Sequence, residues 1–257
     1  MVFTEQMMER KDGTKVTKTT VKVWRPLVAK LEARMNEACL RRDLYLARLL
    51  ACEVQHLDAE VAMANSQAAY DHVFARLESL DRKAMSLALP PELVEQINDV
   101  CKRKRIVRDA FFNRLFLLLA ASPKQLDAIL FPDYDGDWKR DVWREYGNDS
   151  TTVDLGVLPL ASVTDPFWAI REAFLFDHTA SELIDWTDPE SGSLVKVRGM
   201  EQGNVTLPYN VYAGYLNQKA GNSDLIGLNC YVPDWLVPEH STSQKPDDEL
   251  DAIFKQL

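Results

Sequence analysis

The chain has 257 residues, of which 46% are hydrophobic and 27% charged, with a formal net charge of −9. That is enough for one large or two ordinary globular domains, and it excludes low-complexity and fibrous classes. A polar, charged N-terminus and the lack of a long apolar run predict neither a signal peptide nor a membrane span, and so a cytoplasmic location.

Charge is unevenly spread. Residues 1–122 carry 20 Lys and Arg against 16 Asp and Glu, a net of +4; residues 123–257 carry 10 against 23, a net of −13. The first half can face a polyanion, whereas the second would be repelled by one.

Residues 1–15 read as a polar basic arm with Arg10, Lys11 and Lys15. Such an arm either frays or follows a phosphate backbone. Residues 16–56 form the stretch around which the rest is organised. Lys18 to Trp24 alternates like a strand, with Lys18, Thr20, Lys22 and Trp24 on one side and Thr19, Val21 and Val23 on the other. Arg25-Pro26 stops the strand, and Pro26 suits a first helical turn because its missing N–H would have no partner there. Leu27, Val28, Leu31, Met35 and Ala38 recur at helical spacing, and after Leu40 a second helix offers Leu44, Leu46, Ala47, Leu50 and Ala51 for burial. Residues 57–82 extend this helix and add a linker helix, with an apolar stripe of Leu57, Val61, Ala64, Ala68, Val73, Phe74 and Leu77.

Residues 83–122 repeat the unit. A shift of 66 positions carries Val21 onto Leu87, Val23 onto Leu89, Leu27 onto Leu93, Leu31 onto Ile97, Leu40 onto Ile106, and Arg42-Asp43 onto Arg108-Asp109, without a gap. An internal repeat of pattern is a strong architectural signal. The last helix, with Phe111, Phe112, Leu115, Phe116, Leu118 and Leu119, is apolar almost all round and is predicted to be deeply buried.

A short polar-faced strand running straight into two helices, twice over, resembles the ribbon-helix-helix DNA-binding proteins of the MetJ/Arc/CopG type. The resemblance covers roughly residues 16–120. It implies that the two strands pair into an antiparallel ribbon that enters the major groove, and that the helices of both units interlock as one core. It places base reading on Lys18, Thr20 and Lys22, and on Ser86 in the second unit, where Ala84 and Ala88 stand in the places of the lysines. It also implies phosphate contacts near the start of each second helix. The basic residues to supply charge there are Arg41, Arg42 and Arg108, together with the dense run Lys102, Arg103, Lys104 and Arg105. A solvated strand with aggregation-deterring lysines and a solvated basic helix end are the structural alternatives.

Residues 123–240 read as a small α+β domain. The spacing predicts a strand at 152–160, a helix from Asp165-Pro166 to about Ile184, and strands at 194–197, 204–207, 211–215 and 225–231. Asp133, Asp135 and Asp137 alternate as in a calcium loop, but the glycine is displaced and Arg144 stands where a bidentate glutamate is needed. His56, His72, His178 and His240 lack ligand spacing, and Cys39, Cys52, Cys101 and Cys230 read as reduced packing cysteines. His178 follows Asp177 without a Ser or Cys elbow, and there is no Gly-rich phosphate loop. The expectation is therefore a non-enzyme without cofactor or metal. Residues 241–257 end in an acidic amphipathic segment whose Leu250, Ile253, Phe254 and Leu257 suit a partner's groove or the chain's own domain.

The fold expected is a mainly α N-terminal half of two ribbon-helix-helix units forming an intrachain pseudo-dimer, plus a small α+β C-terminal domain. The function expected is sequence-specific binding of double-stranded DNA, in transcriptional regulation or on a plasmid or mobile element, with a protein partner or self-association through the second half and tail. The alternative is a non-catalytic subunit of a larger protein or nucleoprotein assembly on a decayed scaffold.

Overall fold

A computed structural model describes residues 7–9, 15–61, 63–121, 167, 171, 183–187, 194–202, 205–208, 211–212, 229–232 and 237. In chain order the elements are β1 (Met7–Glu9), β2 (Lys15–Trp24), α1 (Arg25–Glu37), α2 (Arg42–Glu60), α3 (Gln67–Ser79), β3 (Arg82–Leu89), α4 (Pro91–Arg103), α5 (Arg108–Ala120), β4 (Leu183–Thr187), β5 (Leu194–Gln202) and β6 (Val205–Pro208). The described N-terminal residues are mostly helical, with one small antiparallel sheet ordered β1-β2-β3. The second sheet is antiparallel too, ordered β4-β5-β6.

The organising contact is β2 with β3. They pair antiparallel within the one chain, Lys18 opposite Ala88, Thr20 opposite Ser86 and Lys22 opposite Ala84. The 66-residue offset also carries Thr20 onto Ser86. Thr20 and Ser86, 66 positions apart, are thus partners by register.

The bends between helices repeat the same local chemistry. After α1 the chain passes through Cys39 at φ 55°, and after α4 through Arg105 at φ 46°. Each bend closes with the paired bonds of a Schellman motif: Leu40 N–H donates to the Met35 carbonyl (2.9 Å) and Cys39 N–H to Asn36 (3.0 Å), while Ile106 donates to Cys101 (2.8 Å) and Arg105 to Lys102 (3.3 Å). Neither left-handed residue is glycine, so each position costs about 1 kcal/mol that glycine would spare.

Val21, Val23, Leu87 and Leu89 point from the sheet into one core with Leu27, Leu31, Leu46, Leu50, Leu93 and Ile97. Fully burying one such side chain stabilises by about 1.5–3 kcal/mol. Helix α5 is buried from Ala110 through Ala120, as its all-round apolar sequence predicts. Part of its cover comes from the second half of the chain: the Phe111 ring lies 6.1 Å from that of Tyr212, and Arg114 Nε donates to the Val211 carbonyl at 2.8 Å.

Several expectations need correction. Trp24 does not share the exposed side with Lys22; it is 1% exposed, because the strand ends there and the chain turns into α1. Leu44 is 36% and Phe74 47% exposed, and Ala64 and Ala68 are exposed as well, so helical spacing over-assigned both apolar stripes. Met7–Glu9 of the arm is a strand laid on residues 15–17 of β2. Leu183 and Ile184 belong to β4 and not to a helix, β5 runs on to Gln202, and Val211-Tyr212 is a turn. Asn229–Tyr231 is not strand. The strand at 152–160, the Asp133–Asp137 loop and the tail residues Leu250, Ile253, Phe254 and Leu257 lie outside the described residues.

Candidate nucleic-acid interface

Along β2, Lys18, Thr20 and Lys22 are exposed, while Thr19, Val21 and Val23 between them are buried. Along β3, Ala84 and Ser86 are exposed and Ala88 is partly so. The sheet therefore presents one outward face. Its two ends each carry one lysine opposite one alanine, and its centre carries two hydroxyls, Thr20 and Ser86.

The ribbon's edges are closed by the two second helices, each sealing the other unit's strand. On the β3 edge, Arg42 Nη2 donates to the Ser86 carbonyl (3.0 Å), and Ala88 N–H donates to Asp43 Oδ2 (3.2 Å). On the β2 edge, Arg108 Nη2 donates to the Thr20 carbonyl (2.6 Å), and the Lys22 amide bonds Asp109. Arg42-Asp43 and Arg108-Asp109 thus make the same kinds of contact on opposite edges of the ribbon. With these groups turned to the outer edges, Thr20–Ser86, Lys22–Ala84 and Lys18–Ala88 are the closely spaced, non-hydrogen-bonded pairs of the ladder. Sealed edges also remove the template for intermolecular strand pairing.

On the β2 edge the seal continues through Asn113, a fully buried amide in α5. Its Oδ1 accepts from Trp24 N–H (2.9 Å), and its Nδ2 donates to the carbonyls of Lys22 (3.0 Å) and Asp109 (2.7 Å). The counterpart by repeat is Ala47, so this contact has no twin.

Arg42 and Arg108 are half-buried at the ribbon edges, and Arg41 is exposed beside Arg42. Neither α2 nor α5 has a side chain capping its first turn, unlike α3, where Ser66 Oγ accepts from Ala69 N–H at 3.0 Å. Arg103, Lys104 and Arg105 are engaged elsewhere. Arg103 pairs with Asp58 (3.1 Å) and Asp99 (2.9 Å), which holds the Asp58 carboxyl below its usual range. Lys104 Nζ donates to the carbonyls of Asp58 (3.0 Å) and Val61 (2.5 Å), at the negative end of α2. Arg105 Nη1 donates to the Asn65 carbonyl (3.1 Å), and Lys102 is exposed. These residues staple α4 to the end of α2. Lys22 for its part lies within electrostatic reach of Glu78 and Asp109.

A second polar cluster escaped the sequence reading. Glu53 of α2 is fully buried and accepts from both Nη atoms of Arg171, at 2.9 and 3.3 Å, and from the Tyr212 hydroxyl; Arg171 also pairs with Glu60. Burial raises the Glu53 carboxyl, with Arg171 and Tyr212 opposing, and burial pushes up the phenol of Tyr212 as well. Asn65 makes a comparable tie: its Oδ1 accepts from Val232 N–H (2.9 Å), and its Nδ2 donates to the Cys230 carbonyl (2.6 Å). The signal available in the sequence was a glutamate at a position of α2 whose repeat counterpart is Leu119.

Among the described residues, no three His, Cys, Asp or Glu side chains are grouped to hold a metal ion, and no helix is long and apolar enough to cross a membrane. The four cysteines are free thiols, and burial pushes that of Cys101 up to about 12. No family profile, curated protein or solved structure matches the chain.

Proposed function

We propose that the chain is a tandem ribbon-helix-helix protein that closes its ribbon internally and binds double-stranded DNA with the Lys18, Thr20, Lys22 and Ser86 face in the major groove. The observation that carries this reading is the β2–β3 register. It sets Thr20 opposite its repeat equivalent Ser86 and turns the two lysines and both hydroxyls outward. A two-stranded ribbon fits the major groove, lysine can donate to guanine O6 and N7, and hydroxyls serve either a donor or an acceptor on a base edge. The first turns of α2 and α5, which have no side-chain cap, flank the ribbon and suit backbone phosphates, with Arg41, Arg42 and Arg108 adding charge. Regulation of transcription or service on a mobile element are the uses that fit such a module, with the acidic second half as its partner-binding part.

One observation favours a second reading, a scaffold inside a larger assembly: Arg103, Lys104 and Arg105 are committed to contacts within the chain. A gel shift on double-stranded fragments at two salt concentrations, with random DNA as competitor, separates the two. DNA binding predicts a salt-sensitive, selective shift that Lys18→Ala/Lys22→Ala abolishes. No shift, or a shift equal on every sequence, supports the assembly subunit.

A further inference from the structure

We infer that the ribbon recognises a non-palindromic DNA site whose two lysine-read guanines lie on the same DNA strand; this rests on the DNA-binding reading above. Two antiparallel strands lying in a major groove each run closer to one of the two DNA strands. In a two-fold symmetric ribbon both protein strands carry the same readers, and the site is a palindrome.

Here the backbone is two-fold about Thr20–Ser86, but the readers are not. Both cationic side chains, Lys18 and Lys22, stand on β2, and their symmetry equivalents on β3 are Ala84 and Ala88. Lysine donates to guanine O6 and N7, whereas alanine offers only a methyl contact suited to thymine. The β2 side thus reads guanine twice on one DNA strand, and the β3 side tolerates or favours thymine on the other. The central hydroxyls, Thr20 and Ser86, are chemically alike and read the middle of the site evenly.

The spacing follows from the strand. Lys18 and Lys22 are four residues apart, about 13 Å at roughly 3.3 Å per residue. With about 3.4 Å of rise per base pair along a path inclined in the groove, that separates the two guanines by about three base pairs.

Selection of bound duplexes from a random double-stranded library by the full-length protein, followed by sequencing, tests this. The parent is expected to enrich an asymmetric core with two guanines on one strand about three base pairs apart. Ala84→Lys/Ala88→Lys, at an exposed and a half-exposed position of the outward face, restores two-fold chemistry and is expected to enrich a palindrome with guanines on both strands. It should bind that palindrome on the order of tenfold more tightly than the parent does. A palindrome enriched by the parent, or an unchanged motif from Ala84→Lys/Ala88→Lys, overturns the strand assignment while leaving DNA binding intact. No enrichment with either protein overturns both.

Discussion

Replacing Asn113 by alanine isolates the contact that fixes the end of β2. The amide is fully buried in α5 and holds β2 at two backbone points, accepting from Trp24 N–H at 2.9 Å and donating to the Lys22 carbonyl at 3.0 Å. Asn113→Ala leaves the Trp24 donor without this partner inside the core, which costs about 1–3 kcal/mol. The Lys22 carbonyl loses one acceptor bond, a smaller loss of about 0.5–1.5 kcal/mol. The third bond, to the Asp109 carbonyl, adds little because that oxygen lies within the α5 ladder. The sum is about 2–4 kcal/mol, against total stabilities of about 5–15 kcal/mol for ordinary domains. Urea unfolding followed by far-UV circular dichroism reads it as a lower midpoint at unchanged slope. Asn113→Leu keeps the branching at Cγ without leaving a cavity and is expected to lose at least as much, because the amide and not the bulk carries the effect. If either variant unfolds within about 0.5 kcal/mol of the parent, the claim that this side chain anchors the ribbon is wrong.

Other expectations follow from the same geometry. Cys39→Gly relieves a left-handed residue on an exposed bend and is expected to raise stability by about 0.5–1 kcal/mol in the same unfolding assay. Glu53→Ala strips the buried guanidinium of Arg171 of its bidentate partner and should cost about 3–5 kcal/mol by thermal or urea melting, with limited proteolysis opening the second half of the chain first. Arg103→Ala removes the partner that lowers the Asp58 carboxyl. A depressed carboxylate contributes stability above its unfolded value, 3.8 for Asp58, and loses it as pH falls through the lower folded value. The parent should therefore exceed Arg103→Ala in stability at pH 7, and the gap should close on acidification below about pH 4; a gap that widens instead contradicts the ion-pair assignment.

Much of the framework could be read from the residues alone. Period-2 alternation separated Lys18, Thr20 and Lys22 from Val21 and Val23, and the all-round apolar sequence from Phe111 to Leu119 anticipated the burial of α5. The failures share a cause: they depend on partners distant in sequence. Trp24 keeps the parity of Lys22, yet the chain leaves the strand at that residue and Asn113, 89 positions away, takes its amide. Glu53 reads as a surface glutamate until Arg171, 118 positions on, is placed against it. The run 102–105 looks like an exposed basic patch because sequence cannot show that the end of α2 faces it. Arg42 and Arg108 look like phosphate ligands only, and their bonds to strand carbonyls become visible once the register is known.

The proposed DNA-binding face requires β2 and β3 to pair within one chain about Thr20 and Ser86. Non-hydrogen-bonded neighbours have Cβ atoms about 4.5–5.5 Å apart, close enough for a disulfide with slight adjustment. The direct measurement is mild oxidation of Thr20→Cys/Ser86→Cys, with the accessible Cys39 and Cys52 replaced by serine, resolved by non-reducing electrophoresis across a range of protein concentrations. An intrachain bond, formed at single-chain mass and to the same extent at every concentration, is the predicted result. Disulfide-linked dimers that grow with concentration, or no bond at all, would contradict the internally closed ribbon and the DNA-reading face built on it.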